Sequence, residues 1–490
     1  MTTTTSHRPP VAPVLPPAAP PVAPAPLDPA LPPRTRRAPA PTPRWWRSST
    51  RDALVVSLLV VTALWAYPHG VADLTGGPSA ALTSLGRLTG LVASDLLLVQ
   101  VVLMARIPVV ERAWGQDHLA RLHRLVGFSS FSLMVAHIVP IGLGYAGADG
   151  RGYGDLLGEL WDMTWNLPGM LLAAAGTVCL VLVVVTSIRA ARRRLRYESW
   201  HLLHLYAYVG VGLALPHQLW TGATFLANPL AAAYWWTAWG ATAAAVLVFR
   251  VGLPLHRTAR HRLVVAAVVT EAPGVVSVHL TGRHLDELPA RAGQFVLLRF
   301  LAGPGAGRAH PYSLSAAPSP TMLRITVKDL GDDSRRVARL RPGTPVFLEG
   351  PYGRLTAERR TTRKVLLLGA GIGITPLRAL AEELPQAPGD VVVVHRIRSM
   401  QETIFRSEFE HLGRTRGLRT IAVPGPRDGR SWAPAGHGPD PVAALRAMVP
   451  DVAEREVYVC GPDTWMDAAL DAAGRAGVPP ERLHAERFAW

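Results

Sequence analysis

Four histidines lie inside apolar stretches long enough to cross a membrane, and imidazole is a metal ligand. The segment HRLVGFSSFSLMVAH carries His123 and His137, fourteen residues apart, and HLYAYVGVGLALPH carries His204 and His217, thirteen apart. Ionisable side chains within a bilayer are costly and need a partner or a function. A helix rises about 1.5 Å per residue, so fourteen residues span about 21 Å and set one ligand near each face of a ~30 Å hydrocarbon core. Fourteen residues also close almost four turns, so His123 and His137 share a face. With both segments running in the same direction, His123 is level with His204 and His137 with His217. Each level then offers two imidazoles to one iron, the ligand set of a bis-histidine haem b. Thirteen residues leave His204 and His217 about 140° apart on an ideal helix, and Pro216 is placed to correct part of that. Periodicity leaves His204 and His201 as alternatives for the inner ligand. For His69, His118 and His201 an interhelical hydrogen bond or a surface position is the simpler role.

A second constellation lies downstream. His310, Pro311, Tyr312 and Ser313 form HPYS, with Gln294 upstream and Lys328 and Ser334 downstream. A flavin needs an apolar wall for its ring and donors for its polar edge and pyrophosphate; Tyr312 can stack and Ser313 can donate. Ser334 opens SRRVARL, a helix whose N-terminus would favour the pyrophosphate. Gly369, Gly371 and Gly373, followed by Thr375 and Pro376, come directly after the apolar run Val365–Leu368. A glycine turn between strand and helix lets backbone approach a phosphate. Arg396 and Arg398 end the next apolar run, near where a ribose 2′-phosphate would lie. The acid expected for a free 2′-hydroxyl is absent, which favours NADPH over NADH.

These groups need elements to hold them. The chain has 490 residues, 18% of them charged, and a formal net charge of +16; its mean hydropathy is positive, as for a protein half in a membrane. The arginines cluster at the ends of apolar stretches, and no zinc spacing or RNA-binding motif accompanies them, so the charge is read as setting membrane topology and no nucleic-acid partner is expected. Cys179 and Cys460 fall in different environments, so no disulfide is expected. Residues 1–43 contain fifteen prolines and cannot build a core; an extended, disordered tail is expected there, without a signal peptide. Six apolar stretches follow, near 52–68, 88–110, 122–145, 168–188, 200–222 and 229–253. Arginine precedes the first, separates the fourth from the fifth and follows the sixth, whereas the loop between the third and fourth is acidic. This pattern predicts a multi-pass protein of the cell membrane with both termini cytoplasmic. Beyond residue 260, short alternating runs such as RLVVAAVVT and LRITVK predict an antiparallel barrel. Beyond 363, apolar strands alternating with helical patterns predict an α/β unit with a parallel sheet.

Taken with GPYG at Gly350–Gly353, YVCGP at Tyr458–Pro462 and the ending ERFAW, these motifs resemble the ferric reductase and NADPH oxidase superfamily over residues ~50–490. The resemblance implies a multidomain chain: a tail over 1–50, a six-helix transmembrane haem-binding bundle over 51–256, an antiparallel β-barrel FAD domain over 260–358 and an α/β nucleotide-binding domain over 359–490. It assigns His123 and His204 to an inner haem and His137 and His217 to an outer one, choosing His204 over His201. It sets His310, Pro311, Tyr312 and Ser313 against FAD, and Gly369, Gly371, Gly373, Thr375, Cys460, Gly461 and Pro462 at the nicotinamide nucleotide. Cys460 and a C-terminal aromatic that covers the flavin ring, best matched by Phe488, are its catalytic candidates. The implied activity carries electrons from cytosolic NAD(P)H through FAD and two haems to an extracytoplasmic acceptor, ferric iron or dioxygen. Ile141 stands where oxidases tend to carry a further histidine, which weakens the case for a dedicated oxygen site. Two other readings stay open: an electron-donating module for a quinone or a periplasmic partner protein, and a haem-free flavin reductase with a membrane anchor. No calcium-binding motif of the EF-hand type is present.

Overall fold

The computed structural model describes residues 45–195, 197–222, 228–303, 306–385, 387–426 and 431–487. Phe488 and all but the last few residues of the proline-rich tail lie outside them. The N-terminal half is helical: α1 (Trp45–Trp65), α2 (Pro78–Leu103), α3 (Gln116–Ala148), α4 (Leu156–Asn166), α5 (Met170–Ser187), α6 (Tyr197–Trp220) and α7 (Pro229–Ala245). Among the described residues, five helical segments are long and apolar enough to cross a membrane: Ser48–Trp65 of α1, α2, α3, α5, and Pro229–His261, which continues α7. The 24-residue α6 packs beside α5.

Glycine decides which helices touch. A Cβ on Gly86 would stand 2.7 Å from Ile141, and one on Gly127 would stand 2.7 Å from Gln100 Oε1. Gly86 and Gly90 thus form a small-residue stripe on α2 that admits α3. Gly176 of α5 meets Gly210 of α6 in the same way, a Cβ on the former falling 2.8 Å from the latter's carbonyl oxygen. This explains why α2 begins about ten residues before the apolar stretch predicted at 88. Gly86, Arg87 and Gly90 depress hydropathy but serve packing, and Pro78 supplies the first turn after Gly77, at φ +102°. Pro140 inside α3 cannot donate to the Ala136 carbonyl; Thr89 Oγ1 of α2 lies 3.0 Å from that oxygen and satisfies it. Asp95 of α2 is buried, accepting from Ser57 Oγ at 2.6 Å and Tyr234 OH at 2.7 Å, and so ties α1 and α7 to α2.

The C-terminal half begins with two three-stranded antiparallel sheets. One is ordered β1 (Val264–Ala272), β2 (Val275–Thr281), β5 (Met322–Lys328); the other β4 (His310–Ser313), β3 (Phe295–Phe300), β6 (Val346–Tyr352). Single bridges, Val264 to Pro345 and Leu314 to Ile325, join them, around a core that includes Leu263, Val278, Leu298, Leu314 and Ile325. A parallel five-stranded sheet follows, ordered β11 (Leu483–Ala485), β10 (Glu456–Cys460), β7 (Val365–Ala370), β8 (Val391–Ile397), β9 (Arg419–Pro424). Strands β7, β8 and β10 are buried along their whole length, as expected of a sheet covered on both faces. The helices α8 (Ile374–Glu383), α9 (Arg406–Arg416), α10 (Pro441–Met448) and α11 (Asp463–Arg475) accompany it. Strand order reverses between β7 and β10, so the loops after these strands open a crevice at their carboxyl ends, the usual ligand position in such sheets.

A buried ion cluster locks the two β units together. Glu408 of α9 accepts from Arg324 of β5 at 2.7 and 2.9 Å and pairs with Arg378 of α8. Burial would raise the Glu408 pKa, but the bonds from Arg324 and the charge of Arg378 outweigh it and hold the carboxyl below its ordinary range.

Candidate functional site

A cavity of about 1380 Å³ runs through the helical bundle, lined mainly by apolar side chains, with His123, His137, His204 and His217 all on its wall. The His123 and His204 ring centres lie 5.9 Å apart. Their planes meet at 64°, and two trans imidazoles on one iron, each bonded at about 2 Å, would hold their centres roughly 6 Å apart. Among the described residues no group of three or more His, Cys, Asp or Glu side chains is arranged to hold a metal ion.

The α2 backbone fixes the α3 histidines. His123 Nδ1 lies 3.1 Å from the Gln100 carbonyl and His137 Nδ1 lies 2.8 Å from the Gly86 carbonyl. A carbonyl only accepts, so Nδ1 carries the proton and Nε2 keeps its lone pair for a metal. Gln100 and Gly86 are themselves fourteen residues apart, so antiparallel α2 repeats the spacing of the ligands it orients. Gly90 makes room: a Cβ there would stand 2.5 Å from His137 Nδ1. On α6, His204 Nδ1 is 3.3 Å from Ser187 Oγ. Gly169, at φ +81°, lies against the backbone at Pro216 and His217, where a Cβ would be 2.8 Å from the His217 nitrogen. His201 also lines the cavity, whereas His118 stacks on Trp114 with ring centres 4.8 Å apart. One end of the cavity reaches Ile141, and the other is rimmed by Arg106, Arg124, Arg192 and Arg250 and touches Phe295 of β3.

A second cavity, about 650 Å³, occupies the crevice between the β units. Its lining brings together His310, Pro311, Tyr312, Ser313, Lys328, Ser334, Gly371, Gly373, Thr375, Arg396, Arg398, Cys460, Gly461 and Pro462, gathered from opposite ends of the sequence-predicted set. Gln294, Gly369 and Pro376 stand outside that lining. Gln294 is a brace: its Oε1 accepts from Arg291 N at 2.9 Å and its Nε2 donates to Gly353 O at 3.1 Å. Gly369 and Gly373 are packing glycines, the latter pressed against Cys460 and Gly461, whereas Gly371, at φ +53°, has open space above it, as a phosphate-facing residue requires. Ser334 uses its hydroxyl within its own turn, accepting from Leu330 N and donating to Gly331 O at 2.8 Å. Asp332 and Asp333 already occupy that helix's first turn. Arg396 donates to the carbonyls of Gly425 at 2.9 Å and Pro426 at 2.7 Å, so it braces the β8–β9 edge and Arg398 is the freer of the two.

Burial pushes the Cys460 thiol up to about 12 and raises the Tyr312 phenol further. Cys460 is therefore a neutral thiol at physiological pH, suited to packing against a ring and not to nucleophilic attack. Phe295 belongs to the Gly293–Phe295 run upstream of HPYS, and the fold gives it a place that the run alone does not specify. It follows Gln294 in the GQF segment, is 2% exposed, and pairs in register with Ser313. Phe295 lines the bundle cavity and Ser313 lines the crevice, so the two approach each other at this strand pair, and again where Pro462 of the crevice adjoins Asp463 of the cavity.

Residues 89–215 match the family described as ferric reductase like transmembrane component, and residues 367–471 match the oxidoreductase NAD-binding domain. The first match includes His123, His137 and His204 and stops two residues short of His217. The chain is 33% identical over 209 residues to the glycine betaine monooxygenase reductase subunit of Chromohalobacter salexigens, covering 40% of this chain and 56% of that protein. It is 31% identical to the ferredoxin reductase component of 3-ketosteroid-9-alpha-monooxygenase of Mycolicibacterium smegmatis, over 46% of this chain and 65% of that protein. With ferredoxin–NADP reductase B of Sorangium cellulosum the identity is 30%, over 40% of this chain and 84% of that protein. The chain thus spans less than two thirds of the first two relatives. The apolar helices, the crevice and these matches agree: the chain belongs to the ferric-reductase-like membrane proteins that carry ferredoxin-reductase-type FAD and NAD domains, and it is an NAD(P)H-dependent oxidoreductase.

Proposed function

We propose that this protein carries electrons from cytosolic NAD(P)H across the membrane to an extracytoplasmic acceptor, ferric iron or dioxygen. The observation that carries the proposal is the nearness of the crevice to the histidine-lined cavity: Phe295, on the cavity wall, pairs in register with Ser313, on the crevice wall. In this reading six helices, α6 included, form the membrane bundle with both termini cytoplasmic, and the two three-stranded sheets form the FAD barrel. His123 and His204 would hold an inner haem b, and His137 and His217 an outer one. Bound FAD would turn a two-electron donor into a source of single electrons, and the haems would relay these across the bilayer.

The chain's own part is positioning. Tyr312 and Ser313 would face the flavin ring, and Gly371 and Thr375 would admit the nucleotide phosphates. Cys460, Gly461 and Pro462 would seat the nicotinamide beside the flavin. Hydride transfer needs this stacking and no general acid or base. Arg398 would meet a 2′-phosphate, which supports NADPH as donor. A second reading, delivery of electrons to a partner protein, is favoured by the names of the relatives, which are reductase components of monooxygenases. Replacing His123 or His137 with Ala tests the assignment. Each variant should lose one of two haems per flavin in a pyridine haemochrome assay, and wild-type protein that binds no haem would refute it.

A further inference from the structure

Two segments far apart in sequence converge on Trp114–Asp117, the corner that leads into α3. Arg354, directly after the GPYG turn of β6, donates from Nη1 to the Trp114 carbonyl at 2.8 Å. Gly115, at φ +80°, permits this, since a Cβ there would stand 2.7 Å from Arg354 Cδ. Asp117, one residue into α3, accepts the Arg487 backbone N–H at 3.0 Å, a contact across 370 positions of sequence. The Arg487 side chain is anchored in turn on Asp467 of α11. Between the two ties, Glu486 is buried with its carboxyl over Gly353, where a Cβ would be 2.6 Å from Oε2. The GPYG turn, the segment after β11 and the start of α3 therefore meet at one place. Six residues farther along the same helix, about 9 Å, stands His123.

We propose that the Trp114–Asp117 corner is a latch between the oxidoreductase half and the bundle, with Asp117 as its positioning residue. Asp117 holds the Arg487 amide and Arg354 holds the Trp114 carbonyl, so the flavin-side turn is fixed relative to the His123 end of a rigid helix. The latch sets the separation across which electrons leave the flavin unit, and to that extent it rests on the electron path proposed above. An N–H donor needs an acceptor and not a charge. Asn at position 117 therefore preserves the latch and Ala removes it.

The test uses the full-length protein in detergent, as wild type, Asp117→Ala, Asp117→Asn and Arg354→Ala. Hydrogen–deuterium exchange of a peptide containing the Arg487 amide reads the latch without any bound cofactor. Asp117→Ala should speed that exchange at least tenfold, while Asp117→Asn should match wild type. In stopped-flow with NADPH, Asp117→Ala and Arg354→Ala should slow haem reduction at least tenfold, with flavin reduction and the dithionite-reduced haem spectrum unchanged. Unaltered exchange in Asp117→Ala would overturn the proposal. So would an Asp117→Asn variant as impaired as Asp117→Ala, or equal loss of flavin and haem reduction. Wild-type protein without haem would defeat the electron path and leave the exchange result to judge the latch.

Discussion

Gly90→Ala is a one-carbon perturbation aimed at a single proposed haem. The added Cβ would stand 2.5 Å from His137 Nδ1 and 2.9 Å from its Cγ and Cε1, where ordinary contacts begin at 3.4 Å. The ring must retreat by about 1 Å, since α2 backbone behind Gly90 is held in a helix and cannot yield. Overpacking of this kind costs about 1–3 kcal/mol. Moving the ring also forfeits the 2.8 Å bond from His137 to the Gly86 carbonyl, worth about 1 kcal/mol. Together these give about 3 kcal/mol, or roughly a 100-fold loss of affinity for the outer haem. The inner pair, about 21 Å away along α3, is untouched. The assay is haem per flavin by pyridine haemochrome, with a redox titration of the surviving band: the ratio should fall from two to one. Gly240→Ala, where a Cβ meets nothing within 4 Å, is the control and should retain both. Two haems of unaltered potential in Gly90→Ala would refute the assignment of His137 and its orientation by α2.

Three further outcomes follow from the soluble half. Burial, then the Asp117 charge, pushes the Glu486 pKa up to about 8 from an ordinary 4.5. The folded chain therefore keeps a proton that the unfolded chain releases. Stability from this group is complete below pH 4.5 and declines as pH rises toward 8, by at most about 1.4 kcal/mol per unit. Denaturation midpoints measured from pH 5 to 9 should fall less steeply in Glu486→Gln, and parallel profiles would count against it. Arg398→Ala should raise KM for NADPH roughly 10- to 100-fold with little change for NADH, from the loss of a charge-assisted bond. Steady-state kinetics with both donors decide this, and equal changes would remove Arg398 from the 2′-phosphate site. Glu408→Ala leaves Arg324 and Arg378 buried without their shared carboxylate and should cost about 3 kcal/mol of stability, measured by chemical denaturation. Because the Glu408 pKa is held low, its contribution is present above the ordinary glutamate pKa and lost as pH falls through the depressed one.

What the sequence made legible follows from period and punctuation. His123 and His137 are fourteen residues apart because a helix must turn a whole number of times to present both, and that can be counted. The crevice was legible because Gly371, Gly461 and Ser313 sit at the ends of apolar strands. What escaped depends on how a side chain's bonding capacity is spent. Arg396 and Gln294 have the right chemistry for a ligand, but backbone carbonyls and amides of neighbouring turns already occupy them. The start of α2 was hidden because Gly86, Arg87 and Gly90 lower hydropathy in a segment whose task is close approach. Phe295 stands in the GQF run upstream of HPYS, but nothing in the sequence gives it a role of its own. The pairing of β3 with β4 sets it on the cavity wall opposite Ser313 on the crevice wall.

The central claim is that nicotinamide electrons cross from the crevice to the histidine ladder. The most direct test is an anaerobic reduced-minus-oxidised spectrum of the purified protein, loaded with FAD and haem, on addition of NADPH. The account predicts two low-spin b-type haems reduced at a rate that depends on FAD, then reoxidised when ferric citrate or oxygen is admitted. Oxidation of NADPH with no haem band appearing would contradict it and leave a flavin reductase anchored to the membrane.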